Sequence, residues 1–364
     1  MRVPSPQPQN LRSNLLIRVP NWLGDTVMAT PAVREIRKFL PETRITLLAH
    51  PRVEGFWSVF PGMDRVIPLS TQGPQAFWRQ ATALRAEGFD AALLFPTSLS
   101  SAFLFFTAQI PNRIGWSAEG RDLFLTRSIG HDLDRRIHLV WDYLDLARKA
   151  FNIKRGPSLY RMETGIENAA KRQAAQLLGN RDSGGVIALG PGAAYGPAKR
   201  WPLEYWKDLI GLLLTKRKET LVVLGTAEEK AFFAPLSKGL NGDQAKRLLD
   251  LAGQTDVKVL TALLSQCRLL ITNDSGPMHL AAAVRTPVVG IFGSTSPLWT
   301  GPFGSGHSIL TKNLDCSPCF QKTCPIGYPC LREISAEEVF GEAEKRLREK
   351  NRVTGAVPPK GVGR

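Results

Sequence analysis

The chain has 364 residues, 43% of them hydrophobic and 22% charged. That is enough for two domains with real cores, and it excludes a disordered or fibrous chain. Lys and Arg total 47 against 32 Asp and Glu, a formal net charge of +15, which favours polyanionic partners: nucleic acid, anionic lipid head groups or phosphorylated substrates.

Residues 1–14 are polar and proline-rich, without the apolar run of a secretory signal, and read as a disordered extension. From residue 15 onward, short β-branched or apolar runs alternate with amphipathic stretches, the pattern of an α/β fold with mostly parallel sheets. Strands are expected at 15–19, 45–50, 65–69 and 91–95. A helix is expected at 26–40, where Val27, Val33, Ile36 and Leu40 share one face and Pro31 lies near the first turn. The uncharged stretch 91–112 is the one candidate for a membrane span. Pro96, the Ser-rich turn after it, Gln109 and Pro111 argue instead for a buried strand, a turn and a core helix at 99–108.

The second half repeats the layout. Strands are expected at 186–190, 220–225, 248–252, 269–272 and 287–292, and helices at 166–178, 203–214, 228–240, 257–267, 277–284 and 336–350. The short polar segment 152–161 marks the boundary, and the Pro/Gly-bearing 351–364 reads as a disordered tail. The fold class is therefore α/β, with two Rossmann-like doubly wound domains, 15–160 and 161–350, facing a central cleft. Ligands bind such sheets at the carboxyl ends of the strands. There is neither a GxGxxG fingerprint nor a GxxxxGK[ST] loop, so a nucleotide would be held by another device.

Four loops after strands could carry chemistry. In Pro20-Asn21-Trp22-Leu23-Gly24-Asp25-Thr26, Gly24 allows close backbone approach, and Asp25 is either a base for a substrate hydroxyl or an ordinary helix cap. Gly190-Pro191-Gly192-Ala193-Ala194-Tyr195-Gly196-Pro197-Ala198-Lys199-Arg200-Trp201-Pro202 offers backbone N–H groups at Gly192 and cations at Lys199 and Arg200 to a diphosphate. Asn273-Asp274-Ser275-Gly276-Pro277-Met278-His279 opens a helix whose N-terminus suits an anion, with His279 in its first turn. After Leu224-Gly225, Glu228 or Glu229 could bind ribose hydroxyls or simply favour a helix start. Asp132-Leu133-Asp134 follows no clear strand and reads as a solvated loop. Cys316, Cys319, Cys324 and Cys330 form a cluster of irregular spacing without a histidine, either a structural metal site or reduced thiols.

The three motifs Trp22-Leu23-Gly24-Asp25, Gly192 to Pro202, and Asn273 to Ala283, in this order and spacing, resemble the lipopolysaccharide heptosyltransferase II family (glycosyltransferase family 9) over roughly residues 14–345. The resemblance implies a GT-B fold with an N-terminal acceptor domain and a C-terminal donor domain. It implies inverting transfer of L-glycero-D-manno-heptose from ADP-heptose to heptosyl-Kdo2-lipid A, without metal or cofactor. Residue by residue it implies Asp25 as general base and Lys199 as the diphosphate cation. Gly192, Asp274, Ser275, Gly276 and His279 would line the donor site, with Glu228 as the ribose contact and Glu229 close behind. Asn21, Trp22 and Gly24 would face the acceptor. The basic surface suits a cytoplasmic enzyme touching an anionic membrane, each juxtamembrane cation being worth about 1 kcal/mol. Alternatives are a sibling enzyme with another acceptor, a GT-B nucleotide-sugar epimerase, or a non-enzymatic polyanion binder. No recognised nucleic-acid module, and no face combining clustered basic and aromatic residues, supports the last.

Overall fold

The computed structural model describes residues 13–118, 120–154, 159–179 and 185–349. Of the expected extension 1–14, residues 1–12 lie outside them, whereas Asn14 already belongs to the first strand; the tail 351–364 also lies outside them. The chain divides into two units, one running through Tyr160 and the other from Arg161 onward. The N-terminal sheet contains β1 (Asn14–Arg18), β2 (Arg44–Ala49), β3 (Arg65–Pro68), β4 (Ala91–Leu94), β5 (Asn112–Trp116) and β6 (Arg127–Ile129). The C-terminal sheet contains β7 (Val186–Gly190), β8 (Thr220–Val223), β9 (Leu248–Asp250), β10 (Leu269–Asn273), β11 (Val288–Ile291) and β12 (Ser308–Leu310).

The orders are β3-β2-β1-β4-β5-β6 and β12-β11-β10-β7-β8-β9, with every pair parallel. In both sheets the first strand lies at the centre, between the second and the fourth. The strand order therefore reverses at β1/β4 and at β7/β10, where each sheet opens a crevice beyond its strand ends. The central strands are apolar along their whole length because helices cover both faces: Ala91–Leu94 and Val186–Gly190 are buried throughout.

Two expected helices are broken, each for a local reason. The stretch 26–40 is two helices, Leu23–Met28 and Thr30–Phe39, with Ala29 between them. Pro31 has no N–H to give to Val27 O, and the Thr30 hydroxyl donates there instead, at 2.7 Å. The stretch 228–240 yields only Lys230–Phe233 and a 3-10 turn, Ala234–Ser237, because Pro235 and Gly239 interrupt it.

In the C-terminal unit, His307 precedes β12. Burial pushes its imidazole down to about 4, and Arg346 adds to the shift. The unfolded chain takes up this proton near pH 6.5 and the folded one only near 4, so stability is lost as pH falls through that window. The difference is worth about 3 kcal/mol. Melting curves from pH 7 to 4 should show a shallower fall for His307→Leu than for the parent chain. Equal slopes would remove His307 as the cause.

Candidate active site

In the C-terminal unit the ends of β7 and β10 lie side by side. Gly190 packs so closely on β10 that a Cβ there would overlap the Thr272 hydroxyl. Asn273 is fully buried. Its Nδ2 donates to Pro191 O at 2.6 Å, and its Oδ1 accepts from the Trp201 N–H at 3.2 Å. One amide thus ties both ends of the glycine-rich loop to β10. The Trp201 indole donates to Ile334 O at 2.9 Å, which anchors the loop's far end in the core.

These anchors position Lys199, in the 3-10 turn Pro197–Lys199. Its Nζ lies 2.5 Å from Asp274 Oδ2, with side-chain exposures of 14% and 4%. The same carboxylate oxygen accepts from Thr295 Oγ1 at 2.6 Å and from Thr300 Oγ1 at 3.4 Å. The ammonium also lies 4.9 Å from the centre of the Tyr195 ring. An ammonium has three donors, so holding one on Asp274 fixes the charge in place and leaves capacity for phosphate oxygens.

Ser275 is the N-cap residue of the helix Gly276–Ala283, with an extended backbone and no side-chain cap bond. Its hydroxyl lies 3.1 Å from Thr272 Oγ1. Ser275 and Gly276 are half-buried at the turn, where the helix N-terminus favours an anion. His279 is only 3% exposed. Its imidazole is inside the unit, whereas Ser275 and Gly276 are partly exposed at the turn.

The structure also separates the two acidic candidates. Glu229 Oε2 accepts from the Thr226 N–H at 3.1 Å, and Glu229 Oε1 lies 3.6 Å from Arg200 Nη2. A Cβ on Gly192 would overlap this carboxylate. Glu229 therefore belongs to the glycine-rich loop. Glu228, the residue expected there, is exposed, and its carboxyl is held below the usual range by its own backbone N–H and by Thr226.

In the N-terminal unit, β1 ends at Arg18. This buried guanidinium donates to Val19 O at 2.5 Å, to Leu48 O at 3.2 Å and to Asn21 Oδ1. Burial lowers its pKa to about 10. Asn21 is thus tethered from below, whereas Trp22 is 55% exposed with the Arg52 guanidinium 5.0 Å from its ring centre. Gly24 and Asp25 fall in the first turn of Leu23–Met28, and Trp22 takes the N-cap position. Asp25 is therefore not the cap residue.

Asp25 Oδ1 accepts from the Tyr143 hydroxyl at 3.1 Å. Burial, and then Asp25 itself, pushes the Tyr143 pKa well above 10. The phenol stays protonated and keeps donating, which orients a half-buried carboxylate without neutralising it.

Asp134 pairs with Arg136 in an exposed loop, as expected of Asp132-Leu133-Asp134. The four clustered cysteines are free thiols, with Cys316 and Cys319 exposed and Cys330 buried. Among the described residues, no three His, Cys, Asp or Glu side chains are grouped as a metal requires. Tyr143, Thr295 and Thr300 carried no sequence signal as a set. The Gly293-Ser294-Thr295-Ser296-Pro297 turn after β11, a third strand end, was the one clue to Thr295.

Two doubly wound parallel sheets, one with a cation fixed at its switch point, form the GT-B architecture of a glycosyltransferase. The family model for glycosyltransferase family 9 (heptosyltransferase) matches residues 77–328, and the chain belongs to that family. The lipooligosaccharide heptosyltransferase 2 of Haemophilus ducreyi is 30% identical, over 83% of this chain and 89% of the relative. The lipopolysaccharide heptosyltransferase 2 of Salmonella typhimurium is 29% identical, over 92% and 99%. The solved structure of Escherichia coli ADP-heptose lps heptosyltransferase II has a TM-score of 0.79 at 26% identity, covering 92% of this chain and 98% of that one.

Proposed function

We propose that the chain transfers heptose, with inversion, from ADP-heptose to heptosyl-Kdo2-lipid A in lipopolysaccharide inner-core synthesis. The observation that carries this reading is the Lys199–Asp274 pair at the β7/β10 switch point of a family 9 chain. The C-terminal unit would hold the donor. Its diphosphate would meet Lys199 and the turn at Ser275 and Gly276, its backbone approach would use Gly192, and its ribose would meet Glu229. The N-terminal unit would take the acceptor through Asn21, Trp22 and Gly24.

In the reaction the acceptor hydroxyl oxygen bonds to the anomeric carbon while the bond from that carbon to the diphosphate oxygen breaks. Asp25 accepts the hydroxyl proton. ADP departs carrying the bonding pair, and Lys199 with the helix N-terminus stabilises the charge that gathers on it. No described helix is long and apolar enough to cross a membrane. A cytoplasmic enzyme meeting its lipid acceptor at the membrane surface fits this reading and the basic charge.

The test is ADP release from ADP-heptose, with and without heptosyl-Kdo2-lipid A. Acceptor-dependent release is expected. Glu229→Gln should raise the donor KM several-fold, and Glu228→Gln should leave it near the parent value. Silence with this acceptor, alongside thermal stabilisation by ADP, would refute the acceptor assignment and retain the donor. Silence in both assays would refute the reading.

A further inference from the structure

The uncharged stretch singled out in the sequence does not bury all of its apolar residues. The helix Leu99–Thr107 turns Ser101, Ala102, Leu104 and Phe105 inward. Leu99, Phe103 and Phe106, spaced i, i+4 and i+7, remain 46%, 38% and 46% exposed. They therefore form one outward stripe. The neighbouring helix Pro74–Ala86 adds Trp78, 57% exposed.

The rings are locked together. Phe77 stacks on Phe103 at 5.4 Å, and Phe124 meets Phe103 and Phe106 at 5.2 and 5.3 Å. A shallow groove between the helices is lined by Trp78, Phe103, Phe106, Thr107, Gln109 and Arg113. Leu123, next to Phe124 in the chain, is 83% exposed. Isolated exposed hydrophobics need no explanation, but an interlocked aromatic surface does.

The charge around this surface is mostly basic. The helix Leu99–Thr107 carries no charged residue, and Pro74–Ala86 carries Arg79 and Arg85 with no acid. Both arginines are exposed. The Arg113 guanidinium lies 5.5 Å from the centre of the Phe106 ring. Of the acids nearby in the chain, Glu87 pairs with Arg65 at 2.7 Å, Asp90 accepts from Ser13 and from the Asn14 N–H, and Asp122, exposed beside Leu123, accepts from the Ser117 and Ser128 hydroxyls. Rigid aromatics with an arginine rim suit the interface of an anionic bilayer, where rings sit at head-group depth and cations meet lipid phosphates. A second copy of this chain would bring the same arginines and the same +15 charge against itself, which disfavours self-association.

We infer that the surface made by Trp78, Phe103 and Phe106, with Arg113 against it and Arg79 and Arg85 on the adjoining helix, is where this protein docks on an anionic lipid bilayer. The inference rests on the proposed lipid-embedded acceptor and names the face that meets its membrane. It needs no chemical step, so its test is separate from the test of the reaction.

The full chain is floated with vesicles of phosphatidylethanolamine and phosphatidylglycerol, and separately with phosphatidylcholine alone. The parent chain should bind the anionic vesicles far better, and added salt should weaken that binding. Arg79→Gln with Arg85→Gln, both on the surface, should weaken it about fivefold per arginine. Trp78→Ser with Phe106→Ser should abolish binding. With acceptor in the same vesicles, both double variants should lose turnover, whereas turnover on a fully deacylated, soluble acceptor should stay at the parent level. No binding of the parent chain to anionic vesicles would overturn the inference. So would arginine variants that bind as the parent does, even if the aromatic variant fails to fold. A dimer in sedimentation that Phe106→Ser splits would also overturn it, by assigning the surface to self-association.

Discussion

Asp25→Asn is expected to lower kcat about 10³-fold while leaving ADP binding within about twofold of the parent value. Asparagine keeps the size of the side chain and can still accept from the Tyr143 hydroxyl, which lies 3.1 Å from Asp25 Oδ1. What it loses is a lone pair basic enough to take the acceptor's proton. Tyr143→Phe should cost less, about tenfold, because the base survives and only its orientation is released. The pair of measurements separates chemistry from positioning. Near-normal turnover in Asp25→Asn would remove Asp25 as the base, whatever Tyr143→Phe does.

Lys199→Met should damage both catalysis and stability, and the two effects can be pulled apart. Loss of the cation should lower kcat by about 10²–10³, the scale expected when one preorganised charge-stabilising group is removed. It also leaves Asp274, 4% exposed, without its ion partner. Breaking one side of a buried pair costs about 3–5 kcal/mol. Thermal unfolding of the C-terminal unit should therefore begin about 10 °C lower. Adding Asp274→Asn removes the stranded charge and keeps an acceptor for Thr295 and Thr300, so the double variant should recover most of the stability and none of the turnover. Restored turnover would mean that Lys199 acts only by holding Asp274.

Residue by residue, what could be read in advance follows from how each signal arises. Strands buried on both faces read as unbroken apolar runs, so β7 was found at its observed limits and β1, β2, β4 and β10 within a residue at either end. β5, β6 and β12 were missed because they do not look like such runs. β5 carries Asn112 and Arg113, whose side chains donate to backbone carbonyls, including Asp90 O and Phe124 O, and β6 and β12 are three-residue edge strands. The loops after β1, β7 and β10 stood out through Gly, Asp and Lys types that a strand-to-helix turn at a ligand crevice requires. Partners distant in the chain left no such mark. Tyr143 reaches Asp25 across 118 positions. Glu228 was the expected ribose contact; that the Glu229 carboxylate is the one packed on Gly192 was not legible, because two adjacent glutamates share every periodicity argument.

The strand order also governs how quickly this protein can be made. With every pair parallel, no strand can pair through a tight hairpin, and the central pairs join distant segments. Asn14 meets Asp90 across 76 positions, and Thr272 meets Gly190 across 82. Closing such loops costs chain entropy before any contact repays it, which places folding at the slow, aggregation-exposed end of the range. The β7/β10 junction is the longer of these two closures, and it is also the proposed nucleotide seat. A nucleotide that binds only the closed junction adds RT ln(1 + [L]/Kd) to the native side. Cellular ADP-sugar would then act on the newborn chain as a folding ligand before it ever serves as a substrate.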